Sequence, residues 1–187
     1  MRAFAVAAVL LALAAPASAA PAPTWTVDQA ASKLGFSGVM SGDGFSGVFH
    51  RWNAQIVFDP KNLAASKVAA TIDVASAVTG DADRDSALPT ADWFSAATQP
   101  RASFVATTFK DLGGGKYLAG GDLTIRGVKR PIQLPFTLAI TGDTAKVNGA
   151  VALDRTAFGI GQGRWKTGDV VATKVTVTIA LTAHRAH

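Results

Sequence analysis

The stretch from residue 120 to residue 136 reads GGDLTIRGVKRPIQLPF and decides the fold of this chain. Apolar and polar residues alternate in DLTIR, and they alternate again through Ile132, Leu134 and Phe136. Gly127 separates the two runs, and glycine readily adopts the positive φ that a tight hairpin turn requires. The pattern predicts an antiparallel hairpin with one face toward water and the other toward the core.

The same alternation recurs along most of the chain, and counting the runs gives about eight strands. Between residues 79 and 100 the alternation stops, and Asp, Pro and small residues surround Trp93 and Phe94. All thirteen acidic residues are Asp, a residue that favours turns and caps over helix interiors. We therefore predict an all-β protein with one short helical or loop insertion around residues 80–100, and with short turns elsewhere.

An eight-stranded sheet joined by short turns would expose two edges unless it closed on itself. Closure of eight strands gives a barrel whose interior side chains either fill it or leave room for one small ligand. The alternation thus predicts a lipocalin-like antiparallel barrel. Whether the inward side chains fill the barrel is open at this stage.

The N-terminus has the pattern of a secretory signal. Arg2 precedes an apolar run, and the small residues Ala17, Ser18 and Ala19 supply a cleavage site. We predict a signal peptide at residues 1–19 and one barrel domain at residues 20–187. The expected location is the periplasm, and the absence of cysteine excludes disulfides and thiolate metal sites.

The formal net charge is +5, but the basic residues are scattered and lack interleaved aromatic residues. Binding to nucleic acid is therefore not expected. A solvated surface is favoured over a weak attraction to anionic lipid head groups.

Residues suited to catalysis or metal binding are few. Within the folded body only His50 could serve a Ser-His pair, with Ser46 nearby, because we expect the histidines at 184 and 187 to lie in a frayed tail. We favour an exposed histidine in a strand, because the G-x-S-x-G spacing is absent. Alternating aspartates at 81, 83 and 85 resemble a calcium loop, but the glycine of its sharp turn is replaced by Ser86. A capped turn is favoured, and no enzyme activity, metal or cofactor is predicted.

Several short motifs, in their order along the chain, resemble the YceI-like family of periplasmic isoprenoid-binding proteins. They are Trp25-Thr26-Val27-Asp28, Phe58-Asp59-Pro60, Arg84-Asp85, Trp93-Phe94, Gly121-Asp122-Leu123-Thr124-Ile125-Arg126-Gly127 and Arg155 with Phe158-Gly159-Ile160. Two histidines common in the family are absent, one at Ala87 and one near Met40. Arg84, Asp85, Asp154 and Arg155 are interpreted first as structural anchors and second as ligand contacts.

The resemblance implies an apolar tunnel that holds the tail of an isoprenoid quinone or a polyprenyl phosphate without chemistry. The residues expected at its wall or mouth are Phe36, Ile72, Trp93, Phe94, Phe104, Leu134, Phe136, Val151 and Val177. An alternative is a solidly packed barrel that serves a membrane respiratory partner such as a b-type cytochrome. Transient contact with inner-membrane respiratory proteins and a homodimer both stay open.

Overall fold

A computed structural model describes residues 21–186. The predicted signal peptide, residues 1–19, lies outside the described residues and remains a prediction. Within them, no helix combines the length and apolar character needed to span a membrane. The chain forms one antiparallel sheet whose eleven strands are β1 Thr24–Val27, β2 Lys33–Met40, β3 Asp43–Phe49, β4 Trp52–Val57, β5 Lys67–Asp73, β6 Ala77–Val78, β7 Arg101–Gly113, β8 Lys116–Ile125, β9 Val128–Thr141, β10 Thr144–Asp154 and β11 Lys174–Arg185.

These eleven segments form eight barrel strands, because three of the eight are interrupted. β1 and β2 pair with successive stretches of the same edge of β11, so together they act as one strand. β3 and β4 are separated only by a bend, and β5 and β6 only by a short 3-10 turn at Val74–Ser76. The sheet closes where β11 meets β1, which also pairs with β4. The predicted eight-stranded antiparallel barrel is confirmed.

The hairpin that opened the sequence analysis is β8 and β9. Ile125 pairs with Val128 across a two-residue turn, and Arg126 and Gly127 both have positive φ, at 51° and 74°. Positive φ at both positions is the geometry of a type I′ turn, whose twist matches that of the strands. The predicted hairpin is confirmed.

The connections between strands lie at two ends that differ in character. At the end that we call the base, the connections are residues 58–66, 114–115 and 142–143. At the opposite end, which we call the cap, two tight turns accompany two long segments at residues 79–100 and 155–173. The first long segment contains the helix α1, Ala82–Ala87, and confirms the predicted insertion.

The second long segment corrects the expectation that every other connection is short. Residues 155–173 contain two 3-10 turns, Arg155–Phe158 and Gly163–Trp165, instead of a tight hairpin. The alternation in the sequence predicts a last strand from Val171 to Thr182, but β11 begins at Lys174. Val171 forms only an isolated bridge with Met40, so it belongs to the cap and not to β11.

The expectation of a frayed C-terminus is wrong for His184. It lies in β11, where it pairs with Thr26 on one side and Thr144 on the other. The C-terminal part of β11 is therefore held by its pairing with β1 and β10. His187 lies outside the described residues.

Candidate functional site

The barrel interior contains a cavity of about 280 Å³. Inward-facing residues from all eight barrel strands line it, and among the described residues at its wall Arg155 alone is charged. Such a volume lies near the lower limit of roughly 300–1,000 Å³ typical of small-molecule sites. The shape and lining suit a slender apolar molecule.

All nine residues predicted for the wall or mouth line this cavity. Val151, Val177 and Phe36 form a continuous row, because Val151 pairs with Val177 and Val177 with Phe36 across three adjacent strands. The structure brings together the whole predicted set, Phe36, Ile72, Trp93, Phe94, Phe104, Leu134, Phe136, Val151 and Val177. Contact of these residues with a ligand stays a prediction.

The base end of the cavity is filled by aromatic rings. Phe58 is central, with ring centroids of Phe109, Tyr117 and Phe136 at 5.3, 5.6 and 6.0 Å. The indole Nε1 of Trp25 donates a buried hydrogen bond of 3.0 Å to the carbonyl of Phe58. Burial raises the pKa of Tyr117, with a smaller contribution from Asp111. This aromatic plug occupies the base end of the barrel.

Sequence reasoning missed Phe109 as a member of this plug. A strict two-residue alternation from Phe104 places position 109 on the outer face. The pairing between β7 and β8 shifts between Ala106 and Thr108, and one extra residue reverses the side to which later residues point. Phe109 therefore turns inward to Phe58. The only signal in the sequence is indirect. The inward-facing residues of β8 and β9 at the height of Phe109 would lack a packing partner on β7 if Phe109 pointed outward.

At the cap end, the two long segments close over the barrel and contact each other. The amides of Gly161 and Gln162 both donate to the carbonyl of Asp92, each at 2.8 Å. The ring centroids of Trp93 and Trp165 lie 5.7 Å apart. Arg126, in the β8–β9 turn, donates through Nη1 to the carbonyls of Ala91 at 2.6 Å and of Trp93. Trp93 and Phe94 thus lie at a covered mouth, in agreement with their predicted place.

Arg155 fixes the second cap segment. Its side chain donates to four backbone carbonyls, from Nε to Ala172 at 3.1 Å, from Nη1 to Ile160 at 2.7 Å, and from Nη2 to Trp165 at 2.5 Å and Val171 at 2.6 Å. Burial lowers the pKa of Arg155, and Asp154 partly offsets this effect. The interpretation of Arg155 as a structural anchor is confirmed.

The other three polar residues also make local structural bonds. Asp85 accepts hydrogen bonds from the amide and hydroxyl of Thr79, at 2.6 and 2.7 Å, which lower the pKa of Asp85. Asp154 similarly accepts from the hydroxyl and amide of Thr156, which lower the pKa of Asp154. Arg84 donates to Thr79 and lies 5.3 Å from the Phe45 ring centroid. These residues stabilise the cap segments where they leave the barrel.

The calcium-like spacing at Asp81, Asp83 and Asp85 belongs to a capped turn, as favoured. The carboxylate of Asp81 caps α1 by accepting from the amide of Arg84 at 3.0 Å. Within residues 21–186, no three His or Asp side chains are placed to hold a metal ion. His50 is exposed, but it lies at the bend between β3 and β4 and not within a strand.

Three comparisons relate this geometry to known proteins. A family model described as YceI-like domain matches residues 25–183. Protein YceI of Escherichia coli O157:H7 is 39% identical over 97 residues, which cover 52% of this chain and 50% of that protein. The chain thus spans about half the length of the curated relatives it matches first.

Solved structures extend the similarity over most of the chain. BcnA from Burkholderia cenocepacia has a TM-score of 0.81 and 36% identity, covering 83% of this chain and 98% of its own. A polyisoprenoid binding domain from Saccharophagus degradans, implicated in plant cell wall breakdown, has a TM-score of 0.67 and 18% identity, covering 88% and 99%. The latter likeness shows the fold alone. Since the family model matches nearly the whole barrel, and BcnA shares both its fold and more than a third of the aligned residues, this chain belongs to the family of YceI-like domains.

Proposed function

We propose that this protein binds the apolar tail of an isoprenoid lipid inside the barrel and carries it without chemical change. The observation that carries the proposal is the cavity inside the barrel, whose lining residues in the described chain are apolar apart from Arg155. The name of the Saccharophagus degradans relative, a polyisoprenoid binding domain, supports this ligand class. Isoprenoid quinones and polyprenyl phosphates both have tails of this kind.

Burial of the tail provides the driving force. Each CH₂ group removed from water contributes about 0.8 kcal/mol, whereas association costs on the order of 4–15 kcal/mol in lost freedom. A tail of several isoprene units can therefore offset the cost without a charged group. Affinity of this type rises with the length of tail that the cavity accepts.

Carriage without chemistry is supported by the residues at the wall. A reaction requires a nucleophile, an acid or a base near the bound molecule, and the exposed His50 does not line the cavity. The proposed compartment is the periplasm, on the basis of the signal pattern at residues 1–19. There, a carrier would shield an insoluble tail from water.

The alternative of an interaction module assumed a solidly packed barrel, and the cavity contradicts that assumption. Contact with inner-membrane respiratory proteins remains a proposal, as does a homodimer. Chemical crosslinking in periplasmic extracts tests the first, and sedimentation of the purified protein tests the second.

The decisive experiment is native mass spectrometry with lipid extraction, on protein purified from the periplasm without detergent. We expect a bound isoprenoid, or uptake of an added prenyl quinone or prenyl phosphate. Phe136→Asp places a charge at the wall and should abolish retention, whereas Val105→Asp, at a residue 45% exposed on the outer face, should not.

Val151→Phe provides a second variant if Phe136→Asp fails to fold. It keeps the wall apolar but fills part of the cavity, so the folded protein should retain less lipid. A wild-type protein that neither retains nor takes up any prenyl lipid would contradict the proposed function.

A further inference from the structure

The ladder between β9 and β10 joins only the base half of these two strands. It runs from the turn at residues 142–143 to the pair that Gly149 forms with Phe136. Beyond this pair the two strands share no further pairing in the described chain, although both continue and both stay paired with their other neighbours. We call this unpaired interval the seam. It lies between residues 131–134 of β9 and residues 151–154 of β10.

Two prolines account for the end of the ladder. The tight turn at residues 126–127 places the even-numbered positions of β9 against β8, so the odd-numbered positions direct their backbone groups toward β10. In the register of the existing ladder, Pro135 faces Ala150 at the first rung beyond it. Pro131 faces Asp154 at the far end of the seam. Proline has no N–H to donate, so neither rung can form both of its hydrogen bonds.

The seam lies directly beside the cavity. The inward-facing side chains along both of its margins line the cavity, and they are Ile132, Leu134, Val151 and Leu153. On the outer face of β10, Ala150 and Ala152 are exposed and small, so this strand has no long side chain that covers the seam. The outward residue of β9 between the two prolines, Gln133, is exposed as well. A molecule that parts the two strands here reaches the cavity through the side of the barrel.

Both ends of the barrel are occupied by contacts that an entering ligand would have to break. At the base, three aromatic rings pack around Phe58 with centroid distances of 5.3 to 6.0 Å. At the cap, Arg126 and Arg155 donate hydrogen bonds to carbonyls of the two long segments. Parting the seam breaks no rung of the sheet, because none is formed there. A tail that enters through the seam therefore leaves both ends intact.

Another edge of the sheet, on β3, also lacks a paired strand, but it is covered. β3 pairs with β6 only at Val48 and Phe49, so residues 43–47 have no strand on that side. The first cap segment lies over this edge, with the guanidinium carbon of Arg84 at 5.3 Å from the ring centroid of Phe45. No comparable contact covers the exposed outer residues of the seam, which makes the seam the better candidate for an opening.

We propose that the seam is the entrance through which the prenyl tail enters and leaves the barrel sideways, and that Pro131 and Pro135 keep the two strands from joining there. The inference rests on the proposed lipid binding and adds the route of the ligand. Intervals without backbone pairing open at a lower free energy than complete ladders. The apolar inner margins of the seam suit a prenyl chain, which needs no polar partner on its way to the cavity.

Hydrogen exchange tests the seam without any ligand. The amide of Ala152 faces the seam and should exchange at least tenfold faster than the amide of Asn148, which lies on the same strand and pairs with Thr137. Combining Pro131→Thr with Pro135→Thr restores both donors and should slow the exchange at Ala152. Equal protection of the two amides in the wild type would overturn the inference and leave the proposed function standing.

A cross-link across the seam tests the route. The chain has no cysteine, so Gln133→Cys with Ala152→Cys introduces the only thiols, at exposed positions that face each other in the register of the ladder. Bridging them with dibromobimane should slow both entry and release of ubiquinone-2 at least tenfold, with little change in the dissociation constant. Thr137→Cys with Asn148→Cys is the matched control, because these exposed residues are already paired on the same two strands.

Stopped-flow tryptophan fluorescence measures these rates, since the quinone quenches the tryptophans that line the cavity, Trp25, Trp52 and Trp93. The double proline variant should also slow entry, which provides a second test if the cysteine variant does not fold. Unchanged rates in the protein bridged at the seam would overturn the route and leave the proposed function standing. A wild-type protein that showed no quenching at all would reject tail binding together with the route.

Discussion

The two ends of the barrel are closed by different forces. At the base, two tight turns and the connection at residues 58–66 join the strands, and rings pack around Phe58, with one buried hydrogen bond from Trp25. At the cap, two long segments cover the opening, and Arg126 and Arg155 hold them by hydrogen bonds to backbone carbonyls. One end is thus closed by apolar packing and the other by directional polar bonds.

This difference has a consequence for how each end responds to change. Apolar packing has no direction and is distributed over many contacts, so it is lost in proportion to the volume removed. The polar closure depends on a few atoms in fixed positions, and an unsatisfied buried carbonyl costs about 1–3 kcal/mol.

The largest expected effect is on the base. Phe58→Ala should lower the free energy of unfolding by about 3–5 kcal/mol, because it removes a large buried ring and leaves a cavity. Phe94→Ala at the cap is the matched variant, since both rings are under 10% exposed, but Phe94 has one ring partner, Phe49, instead of three. Each ring pair contributes about 0.5–1.5 kcal/mol, so the loss at Phe94 should be smaller. Urea unfolding measures the free energy of unfolding of both variants. An equal or larger loss of stability for Phe94→Ala would contradict the proposed difference between base and cap.

The second effect concerns the cap. Gly161→Ala should lower the free energy of unfolding by about 2–4 kcal/mol. The residue has positive φ, and its new Cβ displaces the guanidinium of Arg155 from the carbonyls that it binds. Gly142→Ala in a base turn is the control, with φ at +58° and nothing within 4 Å of a Cβ there. Gly142→Ala should lower the free energy of unfolding by only about 1 kcal/mol, because of backbone strain. Similar losses in thermal or urea unfolding would show that Arg155 does not depend on this glycine.

The smallest effect is a dependence on pH at the cap. The hydroxyls of Thr79 and Thr156 hold the pKa of Asp85 and of Asp154 below the usual value, so each carboxylate is more acidic in the folded than in the unfolded chain. Their stabilisation is complete above the unfolded pKa of about 3.9 and is lost as the pH falls through the folded pKa. Asp154→Ala should therefore be less stable than wild type at pH 6, with a gap that narrows by pH 3.

Urea unfolding at pH 8, 6 and 3 measures this gap, which should not change between pH 8 and 6. Carboxyl NMR titration gives the two pKa values directly. An ordinary pKa for both groups would show that these carboxylates do not stabilise the cap segments through their charge.

Much of the fold could be predicted from the sequence because the signals are local. Alternation through Leu134 and Phe136 identifies the inward face of β9, and Gly127 marks its turn. The nine predicted wall residues come from such alternation and from the resemblance, and all nine reach the cavity. Phe109 was missed because a bulge in β7 reverses the parity of the strand, and periodicity alone does not reveal a bulge.

The second cap segment was missed for a similar reason. Its apolar residues, such as Val171, suggested that β11 begins early, but they serve contacts with β2 at the cap. His184 was assigned to a frayed tail because nothing adjacent in sequence holds it, whereas β1 and β10 hold it in space. In both cases the decisive partner is distant in the chain.

The sequence by itself determined the eight barrel strands, the turn at Gly127 and the apolar interior. These follow from residue type and from spacing over a few positions, which any local window contains. Only the tertiary structure decided that aromatic rings pack around Phe58 at the base and that Arg155 is buried among four backbone carbonyls at the cap. Barrel closure brings carbonyls from residues 160–172 around one guanidinium, and no local pattern specifies which distant groups will surround a buried charge.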